Sequence, residues 1–397
     1  MKRTPDNDKP VLHRVERIPL PEGRVALRVV LLIALLIIAI VSFAFGVNGL
    51  VGSEPGLAEI EALTGSMNCS EDFTFYYNLG YGELNATDER RAVRSAYSQA
   101  CTDALEIFSP GTDFDGRHNL WYLNSHPNEE VEIEPALYDA LMTLGSYGAR
   151  YHFLAPLAEL NRALASSMDD AEASMYDPRM DSAAAAFAAG CAAYAADEGH
   201  ISIEFHGDNR VTLRVSDEYA AFCEANGAGA YVDLAWLTNA FSADYICSVL
   251  AAEGYTRGCL ISRDGFMRCM DAETGAEYSF TFTHLEGNTV SPVSTLSFAG
   301  ETSVVFLRGY PPAESAEGYY VYADGTIRSP YIDPAGGLDR TAIPEIAGYS
   351  FTKGCADTAI LLAGAFIGEG FSASSLEALA NSGVTVYYME KGALTSA

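Results

Sequence analysis

The chain has 397 residues, 49% of them hydrophobic and 11% aromatic, so it can bury a sizeable core. Its 53 Asp and Glu against 24 Lys and Arg give a formal net charge of −29. That balance leaves little basic surface to neutralise phosphates and argues against nucleic acid as a partner.

In chain order, residues 1–28 form a tail in which Lys2, Arg3, Lys9, Arg14, Arg17, Arg24 and Arg28 outnumber Asp6, Asp8, Glu16 and Glu22. Residues 29–48 follow as an uncharged, mostly apolar run, long enough to span a bilayer as a helix. Positive residues stay cytoplasmic, so the spacing predicts a single-pass anchor in the cell membrane. Its N-terminus lies inside and everything after about residue 50 lies outside. The long basic region, the long apolar run and the lack of a small-x-small cleavage site favour an anchor over a cleaved signal peptide. Without residues 1–28 the chain keeps 17 basic and 49 acidic side chains, near −32.

Residues 49–70 mix Gly, Ser, Glu and Pro and read as a stalk. From 71 to 397 the pattern is one α+β domain. "EDFTFYYNLGYG" (71–82) is strand-type and closes on a Gly turn. Residues 86–108 carry apolar residues at helical spacing, with Thr87 or Asp88 as N-cap. Residues 134–148 form a helix with Pro135 in its first turn, and 180–199 an Ala-rich helix. Residues 200–217 read as two strands around the turn His206-Gly207-Asp208-Asn209. Residues 230–270 read strand, turn, helix, Gly turn, strand, turn, strand, and further strands follow to "VTVYYM" (384–389).

The eight Cys form no C-x-x-C and no zinc spacing with His, and buried free thiols are favoured over a full disulfide set. No G-x-S-x-G, H-E-x-x-H or P-loop is present, and the seven His are scattered. Four places carry candidate chemistry. Asp233 ends a strand before a helix, as an N-cap or beside an anion held at the helix N-terminus, with Trp236 close behind. Arg263 and Asp264 lie in a short "RDG" turn, a plain hairpin or a phosphate contact. Asp333, in "IDPAGG", opens a loop whose backbone either turns or wraps a ligand. Asp357 opens an apolar helix as an N-cap or as an oxygen ligand for Mg²⁺, and the Thr358 hydroxyl is a second donor.

The order "VDL…D", "RDG", "IDP…GG", "ADT" resembles the ApbE family, the FAD:protein FMN transferases. The segments "FDGRHNLWYLN" (114–124) and "GSYGARYHFLAPLAEL" (145–160) fit upstream. The resemblance covers roughly residues 70–390. It implies a single T-fold-related ectodomain outside the cytoplasmic membrane that binds FAD with Mg²⁺ and joins FMN to Thr or Ser of a target protein. It places Asp357 as the metal ligand, Asp233, Trp236, Arg263, Asp264 and Asp333 around the cofactor, and Pro330 at the position of a catalytic His.

The departures fall in the site. Leu361 stands where the family's second metal ligand, a Thr, is expected. Ala235 and Trp236 replace two glycines, and Asn239 and Ala240 a Lys and a Gly. Arg263 replaces another glycine, and Leu154 an Asp. Proline neither takes nor gives a proton. The reading is therefore a divergent relative with weak or absent flavin transfer that binds or scaffolds an exported protein partner. The alternative is an active Mg-dependent transferase that flavinylates exported redox proteins, with Asp357, Thr358 and Asp264 around the metal. A third is an unrelated α+β surface protein with a coincidental motif order.

Overall fold

The computed structural model describes residues 53–65, 67–287, 289–312, 317–371 and 373–397. The expected anchor at 29–48 lies outside the described residues. Among the described residues, no helix is long and apolar enough to cross a membrane.

From Glu54 onward the chain is one compact unit. Strands β1 (Gly56–Glu59) and β2 (Phe73–Leu79) precede helix α1 (Ala86–Phe108). Then come α2 (Leu120–Ser125), β3 (Glu130–Glu132), α3 (Pro135–Ser146), α4 (Ala155–Ala165), α5 (Asp170–Tyr176) and α6 (Ser182–Ala196). The hairpin β4 (Ile201–Gly207) and β5 (Arg210–Val215) leads to α7 (Asp217–Asn226) and α8 (Thr238–Ala252). Next are β6 (Gly258–Ser262), β7 (Phe266–Cys269), β8 (Glu277–Glu286), β9 (Thr289–Ala299) and β10 (Thr302–Arg308). The chain closes with β11 (Tyr320–Val321), β12 (Ile327–Arg328), β13 (Glu345–Ser350), α9 (Cys355–Phe366), α10 (Ala373–Asn381), β14 (Thr385–Glu390) and β15 (Ala393–Ser396).

Eight strands form one antiparallel sheet in the order β1-β2-β6-β7-β10-β13-β14-β15. β10 shows how the layers are built. Every one of its residues is buried, because successive side chains point to opposite faces and both faces are covered. Val305 and Leu307 join the main core with α1, α8 and α9, while Val304 and Phe306 pack under the β8–β9 ribbon against Phe298 and Phe282. A second sheet, β3-β5-β4, stands apart.

Local chemistry explains most boundaries. The β4–β5 turn has Asp208 and Asn209 at φ of 50° and 60°, a left-handed pair that Asp and Asn tolerate. The cap of α1 is Asn85, whose side chain accepts from the Thr87 and Asp88 N–H groups, rather than either of those residues. The expected stalk differs too. Gly56 to Glu59 pair with Leu79 to Tyr76 as an edge strand, and Ile60 is buried. All eight cysteines are buried.

Candidate functional site

Two neighbourhoods hold the candidate residues, and α8 connects them. The first is at the start of α8. Asp233 is buried; its Oδ1 accepts the Ala235 N–H at 2.8 Å and its Oδ2 meets Arg162 at 2.8 Å. This side-chain turn holds Ala235 at φ 50°, a left-handed conformation that costs a residue with a Cβ about 1–2 kcal/mol. The backbone therefore takes a glycine-like path while carrying a methyl group. Trp236 follows, half-buried, edge-to-face between Tyr151 (ring centroids 5.7 Å) and Tyr331 (5.3 Å). Tyr331 in turn meets Phe366 at the end of α9 at 5.0 Å.

The β6–β7 turn lies beside this row. Asp264 accepts hydrogen bonds from Asn239 of α8 at 3.0 Å and from the Ser262 hydroxyl at 2.5 Å. Burial pushes its carboxyl upward, opposed by these two bonds. Gly265 has φ 117°, and a Cβ there would run into the Phe306 carbonyl of β10. Arg263 is exposed, and its backbone N–H bonds the Asp72 carbonyl at 2.9 Å. The Asp72 carboxyl is pushed up to about 6, first by burial, then by Glu317 and Asp264, with Arg263 opposing.

That shift has a sign. A carboxyl raised above its ordinary 3.8 binds its proton more tightly in the folded chain, so its stabilising contribution is full below about pH 4 and is lost as pH rises through about 6. Asp72→Asn is expected to reduce the fall in stability between those values, read as urea midpoints across the pH range. An unchanged slope would contradict it.

Asp333 closes its own loop. Its carbonyl accepts from the Gly337 N–H at 2.8 Å and its Oδ1 from the Ala335 N–H at 2.9 Å. Gly337 is at φ 70°, and a Cβ there would meet the Ala188 carbonyl of α6. Burial pushes the Tyr151 hydroxyl up to about 12, with the Asp333 charge adding to it. Pro330 is half-buried three residues before Asp333.

The second neighbourhood is the start of α9. The carboxylate that caps this helix is Asp244 of α8, which accepts from the Cys355 and Ala356 N–H groups, each at 2.8 Å. Gly354 is the N-cap position, and a Cβ there would run into that carboxylate. Burial pushes Asp244 upward, and Arg268 lies 3.9 Å away. Asp357 is in the first turn and is not the cap. Its Oδ1 accepts the Tyr147 hydroxyl at 2.8 Å, and Lys353 Nζ lies 3.3 Å from that hydroxyl. Thr358 is fully buried; its hydroxyl donates to the Gly354 carbonyl at 2.8 Å and lies 3.3 Å from Ser303 of β10. Asp357 and Asp244 line an open cleft of about 450 Å³ with Asp139, Glu301 and Arg268.

The two neighbourhoods are offset along α8. Asn239 and Asp244 are five residues apart, about 7.5 Å of helix rise. Trp236, Asp264 and Asp333 gather around the aromatic row, whereas Asp357 looks into the cleft with Asp244.

No family model matches the sequence, and no curated protein matches it. Solved structures do. The ApbE protein of Thermotoga maritima superposes with a TM-score of 0.58 at 14% identity, over 86% of this chain and 96% of that one. The flavin transferase ApbE of Vibrio cholerae gives 0.56 at 11% identity, over 87% of this chain and 97% of that one. This chain has the ApbE fold. The expected α+β ApbE-like architecture is therefore borne out, at an identity too low for alignment of sequence alone.

Within the ApbE fold, the residues present do not suit a metal ion. Among the described residues no group of three or more His, Cys, Asp or Glu side chains is placed to hold one. Asp357 has Leu361 four residues on, and the adjacent Thr358 hydroxyl turns into the helix and the sheet. Sequence reading singled out neither Tyr147 nor Lys353, and noted Asp244 only as the end of a motif. Their partners are 210, 206 and 111 residues away, and no local pattern encodes such pairings.

Proposed function

We propose that this chain is an anchored, extracytoplasmic ApbE-fold protein whose flavin transfer is weak or absent and which binds or scaffolds an exported protein partner. One observation carries the reading: among the described residues Asp357 belongs to no group of three or more His, Cys, Asp or Glu placed to hold a metal ion, and its Oδ1 accepts the Tyr147 hydroxyl instead. Supporting it, Ala235 and Trp236 put a methyl and an indole where bare backbone would have to approach FAD, and Pro330 has no proton to exchange.

The test uses the full chain with FAD, Mg²⁺ and an acceptor protein bearing a reactive threonine, and measures AMP release and covalent flavin. The expected rate is the same in wild type and in Asp357→Ala. The open cleft at Asp357 favours one competing reading, an active transferase with a rearranged site. In that case release would be clear in wild type and fall by at least about 10²-fold in the variant, since positioned acid–base groups alone contribute 10²–10⁴. The anchor is tested separately: external protease on intact cells should digest the domain after residue 53 and spare the N-terminal tail.

A further inference from the structure

The β6–β7 hairpin holds Arg263 and Asp264 in its turn, and three residue pairs back from the turn it places Cys259 opposite Cys269. The neighbouring pair is hydrogen-bonded, because the Met270 N–H donates to the Gly258 carbonyl at 2.8 Å. In an antiparallel ladder hydrogen-bonded and non-hydrogen-bonded pairs alternate, so Cys259 and Cys269 form a non-hydrogen-bonded pair with Cα atoms about 4.5 Å apart. That spacing lies inside the window a disulfide accepts, about 4.4–6.8 Å.

Among the other thiols, Cys69 donates to the Cys101 carbonyl and also faces the Cys101 thiol, Cys355 donates to the Met267 carbonyl and Cys247, at 4.0 Å, to the Arg268 carbonyl. Cys259 and Cys269 meet sulfur to sulfur at 2.7 Å, both fully buried. They lie on the face that the β8–β9 ribbon covers, among Met267, Tyr278, Phe298 and Val304.

We propose that Cys259 and Cys269 are a covalent cross-link site, joined as a disulfide that staples the hairpin presenting Asp264. The bond forms by thiol–disulfide exchange with an oxidant of the disulfide class. One thiolate attacks the incoming disulfide, a mixed disulfide forms, and the second cysteine displaces the remaining thiol. The two cysteines lose two protons and two electrons, and the oxidant leaves as two thiols. In the folded chain burial pushes the Cys259 thiol well up, so thiolate is scarce there. The exchange is therefore completed before the ribbon closes, and the finished bond is shielded from reductants. The inference rests on the extracytoplasmic reading for its oxidising surroundings.

The experiment labels thiols in two steps. The full chain is taken from cells into denaturant with a light alkylating reagent, then reduced and labelled with a heavy one. In parallel, a reduced sample is refolded in mixed reduced and oxidised glutathione and treated the same way. Trypsin separates the two cysteines, one in Gly258–Arg263 and the other in Cys269–Arg308. The expected result is heavy label on both in both samples, and a linked peptide that disappears on reduction. Linkage in the refolded sample alone supports the cross-link site and counts against the extracytoplasmic reading. Light label on both cysteines after refolding in glutathione overturns the inference.

Discussion

Asp244→Ala is expected to lower the stability of the domain by about 2 kcal/mol, at the high end for an N-cap, with Asp244→Asn costing clearly less. Asp244 supplies α9 with acceptors for two N–H groups that would otherwise lack partners, from a neighbouring helix at the wall of the cleft. A local cap can be replaced by water. Here the cap sits against Gly354, whose missing Cβ makes room for it. Burial pushes the Asp244 carboxyl upward, against the two N–H bonds and Arg268 that favour its charge, and the neutral amide of Asn keeps one acceptor without the cost of burying a charge. The measurement is a urea or guanidinium transition of the three proteins. Equal loss for Ala and Asn would mean that the charge, not the acceptor geometry, holds the helix. No loss for Ala would mean that α9 does not need its cap. Since Asp357 is in the same first turn, loosening it should also weaken the Tyr147 contact.

What the sequence made legible divides along the range of the interactions. The strands at 200–217 and the helix at 86–108 follow from local periodicity and turn chemistry, and they were placed to within a few residues. The RDG turn was legible because a tight hairpin needs glycine at its end. The short edge strand Gly56–Glu59 was not, since its four residues carry no alternation strong enough to separate them from a polar linker. The site shows the same division. On a helix, adjacent residues point about 100° apart and do not share a ligand, so Thr358 was never a geometric substitute for a hydroxyl at position 361. The structure adds where it points, toward Ser303. Which carboxylate caps α9 depends on how α8 packs against it, and that arises only when the chain closes.

Trp236→Ala is expected to cost about 2–4 kcal/mol, at or below the usual range for truncating a buried Trp because the indole is half-buried, and Trp236→Phe under about 1.5 kcal/mol. The indole bridges Tyr151 and Tyr331, and through Tyr331 the row reaches Phe366 on the last turn of α9. Edge-to-face pairs add about 0.5–1.5 kcal/mol beyond the area they bury. Truncation leaves a gap that Cβ-bearing neighbours on 3-10 and loop backbone cannot easily close. The same substitution separates two roles for this side chain. As a packing element, the indole keeps FAD out: the alanine variant is less stable, and FAD binding is unchanged or gained. As a platform stacking a flavin ring, it would be largely dispensable for folding, and FAD binding would fall sharply in the variant. Intrinsic fluorescence reads both, because Trp121 is the one other tryptophan in the chain and Trp121→Phe leaves Trp236 as the sole reporter. A wild-type signal quenched by FAD, with stability untouched by Trp236→Ala, would overturn the packing role and with it a main support for lost flavin transfer. Loss of stability without quenching is the outcome expected of a fold kept for its architecture.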